Sequence, residues 1–322
     1  MRRNRAIFPE NRSHTGMELR QLRYFVAVVE LGSLSKAADA VHVSQSALSL
    51  QIARLEDELG TQLLARSSRG VAPTEAGTDF CRRARGVLQQ ISQMKEKAPH
   101  SATGLRGTVT IGLPASVAQA ISVEFITRAK ARHPAVTPCI FEYPSSYLAE
   151  LLVNHRLDQA LLFMEDLARG IEAIPLLIED FYLVGIPGSP EGGASSITLM
   201  HDHPMVMPAL PNNVRTIVEK ACEEAGIRPN IVAEGSNPQT LLRLVRAGLG
   251  GTVLPLSVLL PNDIDTTPAI HIDPPLSRKL ALCRAVDVPQ EPLQLAIRDL
   301  IVEVIDDLVE GGAWPGVRRF AR

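Results

Sequence analysis

Residues 43–60 place small hydrogen-bonding side chains ahead of a row of aliphatic ones. The stretch reads VSQSALSLQIARLEDELG, with serines and a glutamine at its front and charged residues near its end. Hydroxyl and carboxamide groups can reach base edges in a DNA major groove without the desolvation cost of an unpaired charge. The chemistry that this front predicts is recognition of a duplex by hydrogen bonding.

A helix is the element that can present such a front. At 100° per residue, Ser46, Leu50 and Ala53 point one way, with Ser49 on the flank, and Ser44 is placed to cap the helix N-terminus. That terminus also carries a partial positive charge suited to phosphate. Four aliphatic side chains fall within a narrow opposite arc and are expected to face a core: Leu48, Ile52, Leu55 and Leu59.

Two further helices are predicted before this one. From Met17, apolar residues recur at three- and four-residue spacing until Gly32 ends the pattern, and Ser33 is the expected cap of the next helix, LSKAADAV. Only three residues, HVS, then separate that helix from the polar front. Two helices joined by a tight turn, the second with a hydrogen-bonding face, predict a helix-turn-helix.

The segment after Gly60, TQLLARSSRGVAPTEAG, predicts two short strands around a basic tip at Arg66 and Arg69. Such a wing can lie along phosphates or enter the minor groove. Thr74 is the expected cap of the following helix, with Gly77 in its first turn. A small helical domain whose polar face is merely solvated is the alternative, but turn, cap, helix and wing in this order favour DNA binding.

Composition places the chain among globular proteins with two or three domains. It has 322 residues, of which 45% are hydrophobic and 21% charged. The formal net charge of -2 averages over the whole chain, so it does not exclude a local basic patch. No apolar run is long enough to predict a membrane span, and no membrane partner is expected.

Neither the cysteines nor the histidines show metal-ligand spacing. His201 and His203 lack a carboxylate or thiol partner at useful spacing, so we expect no metal and no cofactor. Reduced thiols in a cytoplasmic protein are expected at the four widely spaced cysteines: Cys81, Cys139, Cys222 and Cys283.

The two ends of the sequence predict little regular structure. Residues 1–16 are basic without a following apolar stretch, so they do not form a secretory signal. They are expected to be a disordered arm or an over-long gene start with Met17 as the true first residue, and we favour the second. The tail, residues 311–322, is apolar and basic, and we expect it to fray.

Residues 75–97 predict a long amphipathic helix that extends beyond the small domain. Its apolar stripe needs a partner, and two copies packed together would supply one. Packing against the second half of the same chain is the alternative. Residues 98–107, APHSATGLRG, have the composition of a hinge. The residues expected at a dimer contact are Phe80, Val87, Leu88 and Ile91.

Residues 108–310 predict an α/β domain in two halves. Strands and helices alternate in the first half: the strand GTVTIGLP, a helix at about residues 117–132, the strand AVTPCIFEYP, and a helix and third strand in SSYLAELLVNHRLDQALLF. A similar order returns from HPMVMPAL to GLGGTVLP. This order predicts parallel strands covered by helices, with a ligand cleft at the strand C-terminal ends. Hydroxyls near helix starts favour a small anion such as a carboxylate, although each serine could equally be a cap. The candidates are Ser116, Ser145, Ser236 and Thr252.

The motifs of residues 17–77 occur together in one known family. The segment contains, in this order, the patterns L..F..V.E.GS...AA, L..S.S.LS..I..LE..LG..L..R and RG...T.AG. It resembles the N-terminal winged helix-turn-helix of LysR-type transcriptional regulators. The remainder resembles that family in layout, and its effector domain is similar to periplasmic solute-binding proteins. Within the family, the chain looks most like nitrogen-assimilation-control members.

The resemblance implies roles for particular side chains. Ser44 belongs to the same DNA-facing surface, Ser46 stands where many members have proline, and Leu50 replaces a usual polar or basic residue and could touch a thymine methyl. The implied contacts are to base edges from Gln45, Ser46 and Ser49, and to the DNA backbone from Arg54 and Arg69.

These features predict an α+β multidomain fold. Residues 17–76 form the winged helix-turn-helix, residues 77–97 the linker helix, residues 98–107 the hinge and residues 108–310 a two-subdomain effector domain. We expect a sequence-specific transcription regulator that responds to a small anionic metabolite. Its expected partners are a double-stranded DNA operator, the effector, RNA polymerase and further copies of itself in a dimer or tetramer.

Two other functions compete with this one. An architectural DNA binder would need no ligand cleft, and the pattern of the second domain argues against it. An enzyme on the α/β scaffold would need catalytic groups, and the sequence has no Ser-His-Asp elbow, HExxH, CxxC pair or carboxylate dyad. We therefore expect a protein that is not an enzyme.

Overall fold

A computed structural model describes residues 16–67, 70–97, 105–186, 195–260 and 267–320. The chain divides into two compact units, residues 1–100 and residues 101–322. Arg69, residues 1–15 and most of the hinge predicted at residues 98–107 lie outside the described residues. The predictions made for them stay predictions.

The first unit has the predicted order of three helices, a two-stranded wing and a long helix. Gly32, with φ 60°, closes the first helix, and the Ser33 and Ser44 hydroxyls accept hydrogen bonds from Lys36 N and Ala47 N to cap the next two. The elements are α1 (Leu19–Leu31), α2 (Leu34–Ala40), α3 (Gln45–Leu59), β1 (Leu64–Ser67), β2 (Gly70–Pro73) and α4 (Glu75–Lys97).

The core of the first unit confirms most of the aliphatic arc predicted for α3. Leu48, Ile52 and Leu55 are fully buried and pack with Phe25 and other residues of α1 and α2. Leu59 is 40% exposed, so the prediction that it faces the core is wrong. It is the last residue of α3, and the chain turns away at Gly60.

The second unit begins with the predicted alternation of strands and helices. The middle strand β3 pairs in parallel with β4 on one side and β5 on the other, and the long strand β6 follows. The elements are β3 (Gly107–Leu113), α5 (Ala115–Arg132), β4 (Val136–Glu142), α6 (Ser145–Val153), β5 (Gln159–Phe163), a 3-10 turn (Met164–Asp166) and β6 (Ile171–Val184).

A second set of helices and strands follows and has its own core. Strands β8 and β9 pair in parallel, and β10 pairs antiparallel with β6. The elements are β7 (Ser195–Ser196), α7 (Leu199–Asp202), β8 (Pro204–Pro208), α8 (Asn213–Glu224), β9 (Asn230–Gly235), α9 (Pro238–Arg246), β10 (Thr252–Pro255) and a 3-10 turn (Leu256–Leu259).

Long antiparallel strands connect these two halves. β6 gives Leu177 to the first core and Phe181 to the second, and the chain returns through β11 and β12, which both pair with β6. The sequence patterns do not predict β6, β11, β12 or the helix after them. The elements are β11 (Ala269–Asp273), β12 (Ser277–Ala285), α10 (Pro292–Glu310) and β13 (Val317–Arg319).

The tail is ordered, and the prediction that it frays is wrong for residues 311–320. Trp314 is only 2% exposed and lies in the core that β3, α5 and α10 share. β13 pairs antiparallel with β6, placing Val317 opposite Glu179. An apolar anchor and an open strand edge therefore hold the tail.

Candidate DNA-binding and ligand-binding sites

The N-terminal end of α3 presents the predicted polar front. Ser44, Gln45 and Ser46 are exposed, and Ser49 is half-buried on the flank. Leu50 is 51% exposed. The Ser44 and Ser46 hydroxyls lie 3.2 Å apart. This surface offers several hydrogen-bonding groups and one aliphatic side chain to a partner.

A carboxylate that the sequence reading overlooked attaches the wing to α3. Glu56 Oε1 accepts hydrogen bonds from the backbone N–H groups of Leu63, at 2.8 Å, and Leu64, at 3.0 Å. The Arg66 guanidinium of the wing lies 3.4 Å from the Ser49 hydroxyl. The wing strand is therefore held in one position beside the polar front. Arg54, on the same helix, is exposed.

Gly77 lets α4 approach the start of the wing closely. It lies in the first turn of α4, where the Thr74 hydroxyl accepts a hydrogen bond from its N–H at 3.0 Å. A Cβ atom at this position would stand 1.9 Å from the Leu63 carbonyl oxygen, far inside van der Waals contact. Only glycine fits between these two backbones.

Replacing Gly77 by alanine is expected to destabilise the first unit by about 1–3 kcal/mol, because the backbones must separate to admit the methyl group. Hydrogen exchange followed by mass spectrometry on peptides of α1 and α3 measures the loss as faster amide exchange. Ala76→Ser, at an exposed position in the same turn, is the control and should change exchange little. Equal exchange in both variants would show that the close approach does not exist.

The predicted dimer residues of α4 lie in different surroundings. The Phe80 ring packs edge-on against Phe25 at 5.2 Å between centroids and so contributes to the core of its own unit. Val87 is 41% exposed, and Leu88 and Ile91 are half-buried. The apolar surface available to another copy therefore begins at Val87.

A cavity of about 580 Å³ lies in the second unit at the ends of four helices. Its lining includes the N-terminal residues of α5, α6, α8 and α9, each of which follows a strand of a parallel pair. This is the position predicted for the ligand cleft. The N-cap residues of α5 and α6 are Pro114 and Pro144, which offer no side-chain acceptor to the first-turn N–H groups.

Three of the four predicted ligand residues line this cavity. Ser116 and Ser145 are buried in it, and Ser236 is exposed at its edge. The Ser145 hydroxyl accepts a hydrogen bond from Phe163 N at 3.0 Å. Thr252 lies elsewhere: it is fully buried in β10 and does not contribute to the lining.

Arg278, which lines the cavity, belongs to a buried ion pair that no sequence pattern predicts. Arg278 donates through Nε and Nη2 to Glu179 Oε2 at 2.8 and 2.6 Å, and through Nη2 to Ser116 Oγ at 2.8 Å. Its Nη1 donates to Asn213 Oδ1 at 3.1 Å, and its guanidinium stacks 3.5 Å from the Phe163 ring centroid. Arg278 thus joins groups from both halves of the unit.

Carboxylates occupy the wall of the cavity that follows β4 and β5. Glu142, Glu165 and Asp166 line it. Burial raises the pKa of Asp166, while a hydrogen bond from Ser145 and the charge of Arg278 act in the opposite direction. On the other side of the cavity, the Lys220 ammonium lies 3.9 Å from Glu224 and is well exposed.

Two glutamines connect α5 to α9 beside the cavity. Gln239 Nε2 donates to Gln119 Oε1 at 2.8 Å, and Gln119 Nε2 donates to the carbonyl oxygens of Val258, at 3.2 Å, and Leu260. Since α5 packs in the first half and α9 in the second, this contact links the two halves.

The histidines and cysteines form no other site within the described ranges. No group of three or more potential metal ligands occurs there, and His201 Nδ1 lies 3.0 Å from the Arg228 carbonyl oxygen. All four cysteines are free, and burial raises the pKa of Cys222 to about 11 and of Cys283 to about 12. No described helix has both the length and the apolar character that crossing a bilayer requires.

A winged helix-turn-helix followed by a long helix and an α/β unit with a cleft defines a DNA-binding transcription regulator. Comparison with known families matches residues 19–78 to the bacterial regulatory helix-turn-helix proteins of the lysR family, and residues 102–306 to the LysR substrate binding domain. The chain belongs to the LysR family. It is a regulator and not an enzyme, as the sequence predicted.

Individual relatives agree with this assignment. The chain is 31% identical over 302 residues to the nitrogen assimilation regulatory protein nac of Escherichia coli (strain K12), covering 92% of this chain and 99% of that protein. The nac protein of Klebsiella aerogenes is 34% identical over 292 residues, covering 90% and 95%. The resemblance to the nitrogen-assimilation-control branch is thus confirmed. A full-length OxyR variant from Pseudomonas aeruginosa shares the fold, with a TM-score of 0.67, 23% identity and coverage of 91% and 95%.

Proposed function

We propose that the front of α3 reads the operator. Gln45, Ser46 and Ser49 would contact base edges in the major groove, and Leu50 would touch a thymine methyl. Arg54 and Arg69 would contact the DNA backbone. The exposure of the polar front, together with the fully buried aliphatic face behind it, supports this assignment.

We further propose that a small molecule with an anionic group binds in the cavity and modulates the regulator. The observation that carries this proposal is the convergence of four helix N-termini around Ser116, Ser145 and Ser236, with the Arg278 guanidinium between them. N-terminal backbone N–H groups and the helix dipole favour negative charge at this point. A cavity of about 580 Å³ has the size usual for metabolite sites. Thr252, which lies outside the lining, has no part in this site.

The assembly proposed is a dimer, or a tetramer of two dimers, built on α4. Val87, Leu88 and Ile91 would pack against the same residues of a second copy, whereas Phe80 braces its own unit. A dimer presents two recognition helices to a partly palindromic operator. Regulation of transcription also brings the protein to RNA polymerase, and we place it in the cytoplasm.

The ligand would act by changing how the two halves of the second unit are arranged relative to each other. It can shift the equilibrium between two such arrangements only by the difference in its binding free energy for them, typically about 1–3 kcal/mol. The contact between Gln119 and Gln239 is one that such a shift would break or form. Footprints on the upstream region of the gene, with and without a panel of small metabolites that includes carboxylic acids and amino acids, test the proposal. Unchanged footprints and transcription with every compound would favour an architectural DNA binder.

Replacing Gln45 by alanine is expected to weaken operator binding by about 1–3 kcal/mol, because the carboxamide no longer bonds to a base edge. Selection of preferred sites from a random duplex library should show relaxed preference at one base position in each half-site. Fluorescence anisotropy with the selected operator measures the affinity.

The matched control is Gln62→Ala, an exposed glutamine beyond the opposite end of α3. It should leave both the affinity and the base preference unchanged. A uniform loss of affinity over all sequences for Gln45→Ala would assign this residue to positioning and remove it from base recognition.

A further inference from the structure

The charges around the cavity restrict the class of ligand beyond a simple anion. Three carboxylates line it, Glu142, Glu165 and Asp166, together with two cations, Arg278 and Lys220. The positive charge of Arg278 is already matched by buried Glu179, and Lys220 lies near Glu224. The carboxylates of the lining are therefore in excess, and an exclusively anionic ligand would be repelled by them.

One side of the cavity nevertheless offers donors suited to an anionic group. Asn213 Oδ1 accepts from Arg278 Nη1, which fixes the orientation of the carboxamide. Its Nδ2 is buried, and nothing in the described part of the chain accepts a hydrogen bond from it. A buried donor left without an acceptor is costly, so a ligand oxygen would stabilise this arrangement. The first turn of α5, preceded by Pro114, adds backbone donors.

The lining beside the start of α6 offers acceptors in a fixed position. Asp166 ends the 3-10 turn after β5 and receives a hydrogen bond from Ser145, whose hydroxyl also accepts from Phe163 N. Burial raises the pKa of Asp166, so its ionised form lacks full compensation inside the protein. A positively charged ligand group beside Asp166 would stabilise its ionised form.

From this separation of donors and acceptors we infer that the ligand is dipolar, with a carboxylate and an ammonium group on one small skeleton, as in an amino acid. The inference rests on the ligand cavity of the proposed function and specifies its occupant. The carboxylate binds Asn213 Nδ2 and the first turn of α5. The ammonium binds Asp166, with Glu142 and Glu165 contributing at longer range.

Binding to the full-length protein tests the inference. The standard L-amino acids at millimolar concentration are screened by thermal unfolding, and each one that binds is compared by calorimetry with its des-amino carboxylic acid and its decarboxylated amine. At least one amino acid should bind, and both analogues should bind about tenfold more weakly or worse, since each lacks one charged hydrogen-bonding group.

Two variants test the acceptor side. Asp166→Asn should weaken the amino acid about tenfold and leave its des-amino analogue unchanged or tighter. Glu142→Gln lies at an exposed position, so it tests the same preference with little risk to folding. Glu150→Gln, exposed on α6 outside the lining, is the matched control and should leave both affinities unchanged.

The outcomes separate this inference from the proposed function. Des-amino acids that bind as tightly as the amino acids, or a screen in which no amino acid binds, overturn the dipolar ligand. If simple carboxylic acids such as acetate, glutarate or benzoate still bind and alter the footprint, the proposed ligand response stands without it. If neither class binds, both proposals fail.

Discussion

Replacing Glu179 by alanine is expected to destabilise the second unit by about 3–5 kcal/mol. Both partners of the Glu179–Arg278 pair are buried, so the substitution leaves a guanidinium in the interior without its counter-charge. It also removes the acceptor of the Ser257 hydroxyl, at 2.9 Å from Glu179 Oε1. The chain has one tryptophan, Trp314, which lies in this unit, so its fluorescence during urea unfolding reports on this unit.

Two further variants decide whether the unpaired charge of Arg278 causes the loss of stability in Glu179→Ala. The double replacement Glu179→Leu with Arg278→Met removes both charges at similar volume and should recover most of the lost stability. Glu223→Gln, exposed on α8, should change the unfolding free energy by less than about 0.5 kcal/mol. A loss below about 1 kcal/mol for Glu179→Ala would show an ion pair that water solvates.

The second large effect is expected from Trp314→Ala, with a loss of about 3–5 kcal/mol, because the substitution leaves a cavity in the largest core of the unit. Scanning calorimetry of the full chain measures it as a lower transition temperature for the second unit. The tail strand β13 should separate from β6 with it, since the anchor and the strand are three residues apart.

Trp314→Phe is the matched control for that experiment. The ring keeps much of the packing, and the indole N–H finds no acceptor among the described residues, so its removal loses no hydrogen bond. We expect a loss well below that of the alanine variant. Equal transition temperatures for Trp314→Ala and the unchanged chain would contradict the packed tail.

Local sequence signals were sufficient to predict the helix ends and most of the buried face in the first unit. Capping by Ser33 and Ser44 and termination at Gly32 depend on neighbours a few residues away, and the structure has all three. The arc of Leu48, Ile52 and Leu55 follows from helical periodicity alone. Helical periodicity also predicts that Leu59 is buried, but periodicity does not include the distance from the helix end, where Leu59 lies.

The cavity of the second unit lies where the sequence predicts a cleft, but the charged residues beside it were not predicted. The β-α-β order located it, because parallel strands bring their carboxyl ends to one edge. The partners Arg278 and Glu179 lie 99 residues apart, and no local pattern relates an arginine in one strand to a glutamate in another. Thr252 is a predicted ligand residue, but it is the first residue of β10 and is fully buried, and side-chain direction in a strand depends on strand register.

The pairing of β6 has a consequence for synthesis on the ribosome. The partners of this strand include β12 and β13. β13 begins about 130 residues after β6 ends, an interval that takes on the order of ten seconds to translate. The contacts of the first unit close within residues 16–97 and need no such delay. In a nascent chain, the DNA-binding unit can therefore be folded while β6 of the second unit still has an unpaired edge. We expect chaperones to bind the nascent chain at this edge.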